Sequence, residues 1–157
     1  MADRLVDGRR FRVLTFVDNV SRVRTTIVAD SRLTGERVVE VLEGLLAAGQ
    51  KPQVLSIDNG PEFISRALDA WAHRHGVQLE FSRPGKPTDN AFIEAFNSRF
   101  RDERLNLHWF DSLEEGQATI EAWRVDYNTE RPHGALGQQT PAAFSQAWQA
   151  PVEAVAG

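Results

Sequence analysis

The fold is decided by QVLSIDNGP, residues 53–61, in which a short apolar stretch ends at an acid and a turn. Residues 53–57 are predicted to form a buried strand that stops at Asp58. A helix over 61–76 follows, opened by a proline and closed by a glycine, and the alternation over 77–81 predicts another strand. This order is typical of parallel strands joined by a crossover.

The residues before this unit predict an antiparallel meander. Residues 5–10 contain the turn signal Asp7-Gly8 and lead into a strand over 11–18. A third strand covers residues 24–29, which are rich in Thr, Ile and Val. The first of these three strands is cut short by the start of the chain.

Helical spacing and capping residues predict four more helices along the chain. They are expected at 34–49, 89–105, 112–127 and, as a short helix, from 140 onward. The fold class is therefore α/β, with a mixed five-stranded sheet flanked by helices and a C-terminal helical extension. Residues 1–145 form this single domain, and the tail over 146–157 is expected to fray.

The composition excludes several classes of protein. The 157 residues include no cysteine, which rules out disulfides, cysteine-ligated zinc and thiol catalysis. No apolar run is long enough to cross a bilayer and no signal-peptide pattern is present, so a cytoplasmic location is expected. The net charge of −4 gives no overall basic footprint. Of the 18 basic residues 16 are arginines, which permits phosphate contacts but is explained equally well by genomic base composition.

Asp58 is the first candidate for chemistry. It follows a predicted parallel strand, and open α/β sheets place their sites at such strand ends. Gly60 allows a sharp turn, and Asn59 supplies an amide that can hold a phosphate or orient the carboxylate. The alternative interpretation is that Asp58 only caps the helix opened by Pro61.

Glu94 is the second candidate, because it lies on a polar stripe of the predicted helix over 89–105. At about 100° per residue, the stripe contains Asn90, Glu94, Asn97, Ser98 and Arg101. The apolar residues expected to pack on the sheet from the opposite side are Phe92, Ile93, Phe96 and Phe100. A carboxylate beside amides and an arginine suits a metal ion and a phosphate backbone. An ordinary amphipathic surface helix is the alternative.

The motifs around these two acids resemble the transposases of bacterial insertion sequences. They are DNGPEF (58–63), RPGKP (83–87) and DNAFIEAFN (89–97), and a C-terminal set has the same resemblance: WRVDYN (123–128), Arg131-Pro132-His133, Leu136 and Thr140-Pro141. These transposases belong to the retroviral-integrase-like DDE superfamily, and the closer similarity is to the second-frame (OrfB) product of the insertion-sequence-three family. The 35 residues between Asp58 and Glu94 equal the gap between the last two acids of that family's signature.

The resemblance implies an RNase H-like fold, of the retroviral integrase core type, and Mg²⁺-dependent cleavage and strand transfer at insertion-sequence ends. Asp58 and Glu94 would be the catalytic metal ligands, with Mn²⁺ able to replace Mg²⁺. The implied DNA contacts are Asn59, Arg83, Lys86, Asn90, Asn97 and Arg101; for the three basic residues, charge balance with nearby acids is the alternative. The implied partners are DNA, further copies of the chain and a helix-turn-helix product of the upstream frame, with no membrane.

The sequence departs from this family at the first acid. Alignment on Gly8 and Phe11 places that aspartate just upstream of Met1, so the first strand is truncated and one of three acidic ligands is absent. The hairpin would bring Asp18 beside the missing position, as a surrogate ligand. The chain is therefore expected to be inactive or nearly so. The alternative function is a non-catalytic transposase fragment that acts as a DNA-binding or inhibitory subunit.

Overall fold

A mixed sheet forms the centre of the computed structural model, which describes residues 1–19, 21–86, 91–148 and 153–156. In these residues the sheet has six strands: β1 (Ala2–Arg4), β2 (Arg10–Asp18), β3 (Arg24–Asp30), β4 (Val54–Ile57), β5 (Gln78–Phe81) and β6 (Glu153–Ala156). Strand β2 is antiparallel to β1, β3 and β6. Strand β4 is parallel to β5 and β6, which confirms the predicted crossover unit.

Helices of the described residues cover both sheet faces. They are α1 (Gly35–Ala47), α2 (Arg66–His75), α3 (Ala91–Phe100), α4 (Leu113–Thr129) and α5 (Pro141–Ala147), with a π-helix over Arg101–Leu105 and a 3-10 turn over Gly134–Leu136. The hydroxyls of Thr34, Ser112 and Thr140 accept backbone N–H groups at the starts of α1, α4 and α5, which confirms three predicted caps. None of the described helices is long and apolar enough to span a bilayer.

The two sheet faces bury separate hydrophobic clusters. Leu14 and Phe16 of β2 join the side chains of α1 and α2 in one cluster. Val13 and Val17 of the same strand join those of α3 and α4 in the other. Because successive strand residues point to opposite faces, one nine-residue strand supplies both clusters. This two-sided burial is typical of an α/β domain.

Strand β6 differs from the prediction for the C-terminal tail. The sequence predicts a frayed tail over 146–157, of which 149–152 and 157 lie outside the described residues. In the structure α5 continues to Ala147, residues 153–156 pair with β4, and residues 154–156 also pair with β2. The short β1 pairs only with residues 10–12 of β2, so residues 16–18 need another backbone partner. Strand β6 provides it, lying end to end with β1, and makes the sheet six-stranded instead of five-stranded.

Helix α2 also begins later than predicted. The backbone N–H groups of Phe63 and Ile64 both donate to the Gly60 carbonyl, at 3.0 and 3.1 Å, and form a turn where the sequence predicts helix. The helix starts after Ser65, whose hydroxyl accepts the Leu68 N–H at 3.1 Å. A hydroxyl that satisfies a free helix N–H therefore determines the start, rather than the proline at 61.

The predicted helix over 89–105 consists of two helical forms. Its α-helical part ends at Phe100 and continues as the π-helix, in which the Asn106 N–H donates to the Arg101 carbonyl at 2.8 Å. The predicted start at Asp89 lies outside the described residues. Ile93, Phe96 and Phe100 are buried, which confirms the predicted apolar face, while the side chain of Phe92 lies outside the description.

Candidate active site

Asp58 lies directly after β4 and is half-buried. Its Oδ1 accepts the backbone N–H of Gly60 at 2.7 Å, so the side chain stabilises its own turn. The helix-cap alternative is wrong, because Ser65 caps α2. Asp58 therefore stands at the carboxyl end of a parallel strand, where α/β sheets place their sites.

Asn59 holds the next loop in place. Its side-chain amide donates to the Ser82 carbonyl at 2.9 Å, and the backbone N–H and hydroxyl of Ser82 donate to the Ile57 carbonyl at 2.9 and 3.1 Å. The ends of β4 and β5 are therefore joined. This fixes the start of the loop that contains the exposed Arg83 and Lys86.

Glu62 is a buried carboxylate beside Asp58. Its side chain is 8% exposed, and its Oε1 accepts the Arg12 guanidinium at 2.6 Å. Its Oε2 is buried and has no hydrogen-bond partner among the described residues. A Cβ added to Gly60 would lie 2.8 Å from Asp58 Oδ1 and 3.0 Å from Glu62 Oε2. The two carboxylates thus approach the same small space beside Gly60.

The Met1 ammonium lies close to these two acids. It donates to the Val13 carbonyl at 2.9 Å. Burial and the Arg12 charge lower its pKa, while the carboxylates of Glu62 and Asp58 act in the opposite direction.

Glu94 lies in the first turn of α3 and is exposed. On the same polar stripe, Asn97 is half-buried and its Oδ1 has no hydrogen-bond partner among the described residues. Arg101 donates to the Ala2 carbonyl at 2.9 Å, which joins the end of the helix to β1. The predicted DNA contact Asn90 lies outside the described residues.

Asp18 is engaged elsewhere. Its carboxylate accepts the hydroxyl and the backbone N–H of Ser21 in the turn after β2. In the sheet Asp18 is opposite Ala154 of β6, which is opposite Leu55 of β4. Three residues separate that level from Asp58, or about 10 Å along a strand. The hypothesis that Asp18 replaces the missing acid is therefore not supported.

The C-terminal motif residues stabilise the helices behind the site. Arg131 binds the carboxylates of Glu103 and Asp126, the latter at 2.8 Å, and its guanidinium lies 5.4 Å from the centre of the Trp123 ring. Trp123 donates to Glu103 at 3.0 Å. His133, for which the sequence suggests no role, packs against Tyr127 with ring centres 4.7 Å apart. This motif is therefore structural in the fold.

The donor atoms at the site suit a hard divalent cation. Asp58 and Glu62 offer only oxygen ligands, as does Glu94 on α3, and Mg²⁺ and Mn²⁺ prefer oxygen ligands. No group of three or more His, Asp or Glu side chains converges on one point in the described part of the chain. The buried, unpaired Oε2 of Glu62 is the feature that best fits a cation near Asp58.

Sequence analysis missed the pairing of Glu62 with Arg12. Glu62 belongs to the DNGPEF motif, and its position four residues after Asp58 across a glycine is a local signal. Its partner lies 50 residues away on β2, which no local pattern indicates. Burial of the carboxylate depends on that contact.

The sheet, the flanking helices and the acidic strand end define an RNase H-like α/β fold. The catalytic core domain of HTLV-2 integrase, solved in complex with magnesium in a dimeric form, has this fold. It matches with a TM-score of 0.64 at 14% identity, over 94% of this chain and 91% of that chain.

Two family profiles, both described as integrase core domain, match residues 3–87 and 75–141. The chain belongs to the integrase core domain family. A 31.7 kDa protein of insertion element IS407 from Burkholderia multivorans is 45% identical over 154 residues, 98% of this chain and 56% of that protein. The transposase for insertion sequence element IS904 from Lactococcus lactis is 29% identical over 94 residues, 59% of this chain and 37% of that protein.

These matches confirm the resemblance to insertion-sequence transposases with an integrase-like core. The chain spans about half the length of two of the insertion-element relatives that it matches, at 56% and 41%.

Proposed function

We propose that this chain is the catalytic core of an insertion-sequence transposase, a class that cleaves and joins DNA phosphodiester bonds at the ends of its element, and that its activity is impaired because its sequence holds only two of the three acids. The position of Asp58 at the carboxyl end of β4, in a chain of the integrase core domain family, carries the proposal. Glu94 follows on α3 and supplies the second acid. The reaction class is phosphoryl transfer to water or to a DNA hydroxyl.

Asp58 and Glu94 are the proposed ligands for Mg²⁺, with Mn²⁺ as a substitute. A divalent cation bound there would activate the attacking oxygen and stabilise the leaving oxygen. The chain's own residues prepare that site. The Gly60 N–H orients Asp58, Asn59 joins the ends of the two strands, and the buried face of α3 holds the helix that bears Glu94 against the sheet.

The exposed basic residues of the loop after β5 are proposed to bind DNA phosphates. Arg83 and Lys86 are both exposed there, within a turn closed by the Lys86 N–H and the Arg83 carbonyl at 3.2 Å. Asn90, Asn97 and Arg101 of the helix segment remain proposed contacts, together with Asn59. For Asn59 and Arg101 the structure gives an additional role in joining elements.

The proposed partners follow from the same function. They are the ends of the element, the target DNA, a second copy of the chain and a helix-turn-helix product of the upstream frame. The dimeric form of the HTLV-2 integrase core supports self-association. We also propose a cytoplasmic location, where the protein would meet this DNA.

A second candidate function is that of a non-catalytic subunit, which binds DNA or lowers the activity of a complete transposase. It is favoured by the absence of a convergent three-acid cluster in the described residues. The two candidate functions can be distinguished because only the catalytic one requires the carboxylates of Asp58 and Glu94 for DNA cleavage and joining.

The test is a strand-joining assay with the purified chain, Mg²⁺ or Mn²⁺, a labelled duplex bearing the DNA that flanks the gene, and a supercoiled target plasmid. The catalytic function predicts labelled plasmid at a low yield, because one of the three acids is missing from the sequence, and loss of this product in Asp58→Asn and Glu94→Gln. Glu121→Gln, which removes an exposed partner of Arg124, should leave the product unchanged. Duplex binding without any joined or cleaved product would favour the non-catalytic function.

A further inference from the structure

Glu62 is buried in a way that Arg12 explains only in part. A carboxylate has two oxygens, and the Arg12 guanidinium occupies one of them at 2.6 Å. The second oxygen, Oε2, is buried without a hydrogen-bond partner among the described residues. Buried polar atoms almost always have a partner, so this carboxylate oxygen is available to a bound cation or to a water molecule.

Oε2 is directed toward Asp58. Both Glu62 Oε2 and Asp58 Oδ1 lie within 3.0 Å of the point that a Cβ on Gly60 would occupy. Gly60 does not have a positive φ, so its backbone conformation does not require glycine. A side chain there would instead displace at least one of the two carboxylates.

The charges around this space attract a cation. Two carboxylates face it, and the Arg12 guanidinium balances only one of them. Mg²⁺ and Mn²⁺ bind in proteins where negatively charged oxygen ligands lie close together.

We propose that Glu62, through Oε2, is a ligand for the same divalent cation that Asp58 binds. Arg12 is then a positioning residue, which holds Oε1 so that Oε2 faces Asp58. This inference rests on the proposed function, because it adds a ligand to the metal site proposed there. It gives the DNGPEF segment two carboxylate ligands, on either side of Gly60.

The experiment is a Mn²⁺ titration of the purified chain, with free Mn²⁺ measured by electron paramagnetic resonance and no DNA present. Glu62→Gln keeps the size of the side chain and an oxygen for Arg12, and should weaken Mn²⁺ binding about tenfold or more, as should Asp58→Asn. Glu121→Gln loses a carboxylate paired with an arginine elsewhere, and should bind Mn²⁺ like the unsubstituted chain.

A second variant keeps the test valid if Glu62→Gln does not fold. Gly60→Ala retains every carboxylate and places a methyl group between Asp58 Oδ1 and Glu62 Oε2, so it should also weaken Mn²⁺ binding. Circular dichroism checks the fold of each variant.

The outcomes separate this inference from the proposed function. Weaker binding in Asp58→Asn, with unchanged binding in both Glu62→Gln and Gly60→Ala, would overturn the role of Glu62 and leave the proposed metal site intact. Unchanged binding in Asp58→Asn, or no Mn²⁺ binding by the unsubstituted chain, would overturn both.

Discussion

Gly60 positions the two acids that flank it in sequence, Asp58 and Glu62. Its N–H orients the Asp58 carboxylate, its carbonyl closes the turn before α2, and its missing side chain leaves space between Asp58 and Glu62. The turn therefore orients the acid at the end of β4 and does not begin α2.

The position of Asp58 could be predicted from local sequence, because the end of a strand and a turn are both local features. The burial of Glu62 could not, because it depends on Arg12 of β2.

Alanine substitutions at Gly35 and Gly44 test how tightly the start of α1 packs against the start of α2. A Cβ on Gly35 would overlap the side chain of Ser65, which caps α2, whereas a Cβ on Gly44 of α1 would meet no atom within 4 Å. We expect Gly35→Ala to lower the free energy of unfolding by about 1–3 kcal/mol through overpacking. Gly44→Ala should raise it by roughly 0.5–1 kcal/mol through helix propensity. Urea unfolding measures both, and a Gly35→Ala variant as stable as the original would show that Ser65 can move without cost.

The proposed phosphate contacts of Arg83 and Lys86, in the loop after β5, can be tested by DNA binding. If Arg83 and Lys86 each contact a phosphate, replacing both with glutamine should weaken duplex binding and reduce the slope of log affinity against log salt by about 2. Lys51→Gln is the control, because this exposed lysine precedes β4 and lies at the strand end opposite to Asp58. Fluorescence anisotropy at several salt concentrations gives the slopes. Equal slopes for the double variant and the control would assign the phosphate contacts to other residues.

At the scale of elements, helix starts show which sequence signals are decisive. The starts of α1, α4 and α5 could be predicted because a hydroxyl bonds an N–H three residues on, as Ser112 does with Glu115 at 3.1 Å. The start of α2 was predicted wrongly from Pro61, because proline tolerates a first helical turn but does not create one. The change to a π-helix after Phe100 coincides with long-range contacts of Glu103, which the sequence does not show.

Glu103 of the π-helix should make the stability of the domain depend on pH. Burial raises the pKa of Glu103, but the hydrogen bonds from Arg131 and Trp123, together with the charges of Arg131 and Arg99, lower it by more, so the pKa of this carboxylate lies below its ordinary value. A lowered acid pKa contributes stability above the unfolded pKa, and this is lost as the pH falls through the folded pKa. We expect Glu103→Gln to cost about 1 kcal/mol at neutral pH. The difference should shrink below about pH 4.3, the ordinary value for glutamate.

Urea unfolding followed by circular dichroism between pH 7 and pH 3 checks this dependence. Glu130→Gln serves as the control, since this glutamate is exposed at the end of α4 and should show little effect at any pH. A Glu103→Gln deficit that stays constant down to pH 3 would mean that the charge of Glu103 is not what stabilises the contact with Arg131.

At the scale of the whole molecule, two segments from opposite ends of the chain complete one edge of β2. Strands β1 and β6 lie along the same edge of β2, and among the strands that the structure describes only β6 connects β2 to the parallel pair β4–β5. The parallel unit and the meander could each be predicted from local patterns. Their connection through residues 153–156 could not, because four residues without a turn signal give no local evidence of a strand.

This connection predicts that the C-terminal strand stabilises the domain. Val155 pairs with Val17 of β2 on one side and with Ser56 of β4 on the other. A proline there removes a backbone donor and disfavours a central strand, so Val155→Pro should lower the free energy of unfolding by about 3 kcal/mol. Val155→Thr keeps the donor and a β-branched side chain, and should change stability far less.

Urea unfolding compares the two variants, and hydrogen exchange of β2 and β4 locates the effect. Loss of β6 exposes the edges of residues 16–18 and 54–57, so their amides should exchange faster in Val155→Pro, whereas those of β5 should change less because β4 still covers them. Equal stability of Val155→Pro and the original chain would show that β2 and β4 do not depend on β6. Faster exchange confined to the two edges would instead show that the tail holds the halves of the sheet together beside Asp58.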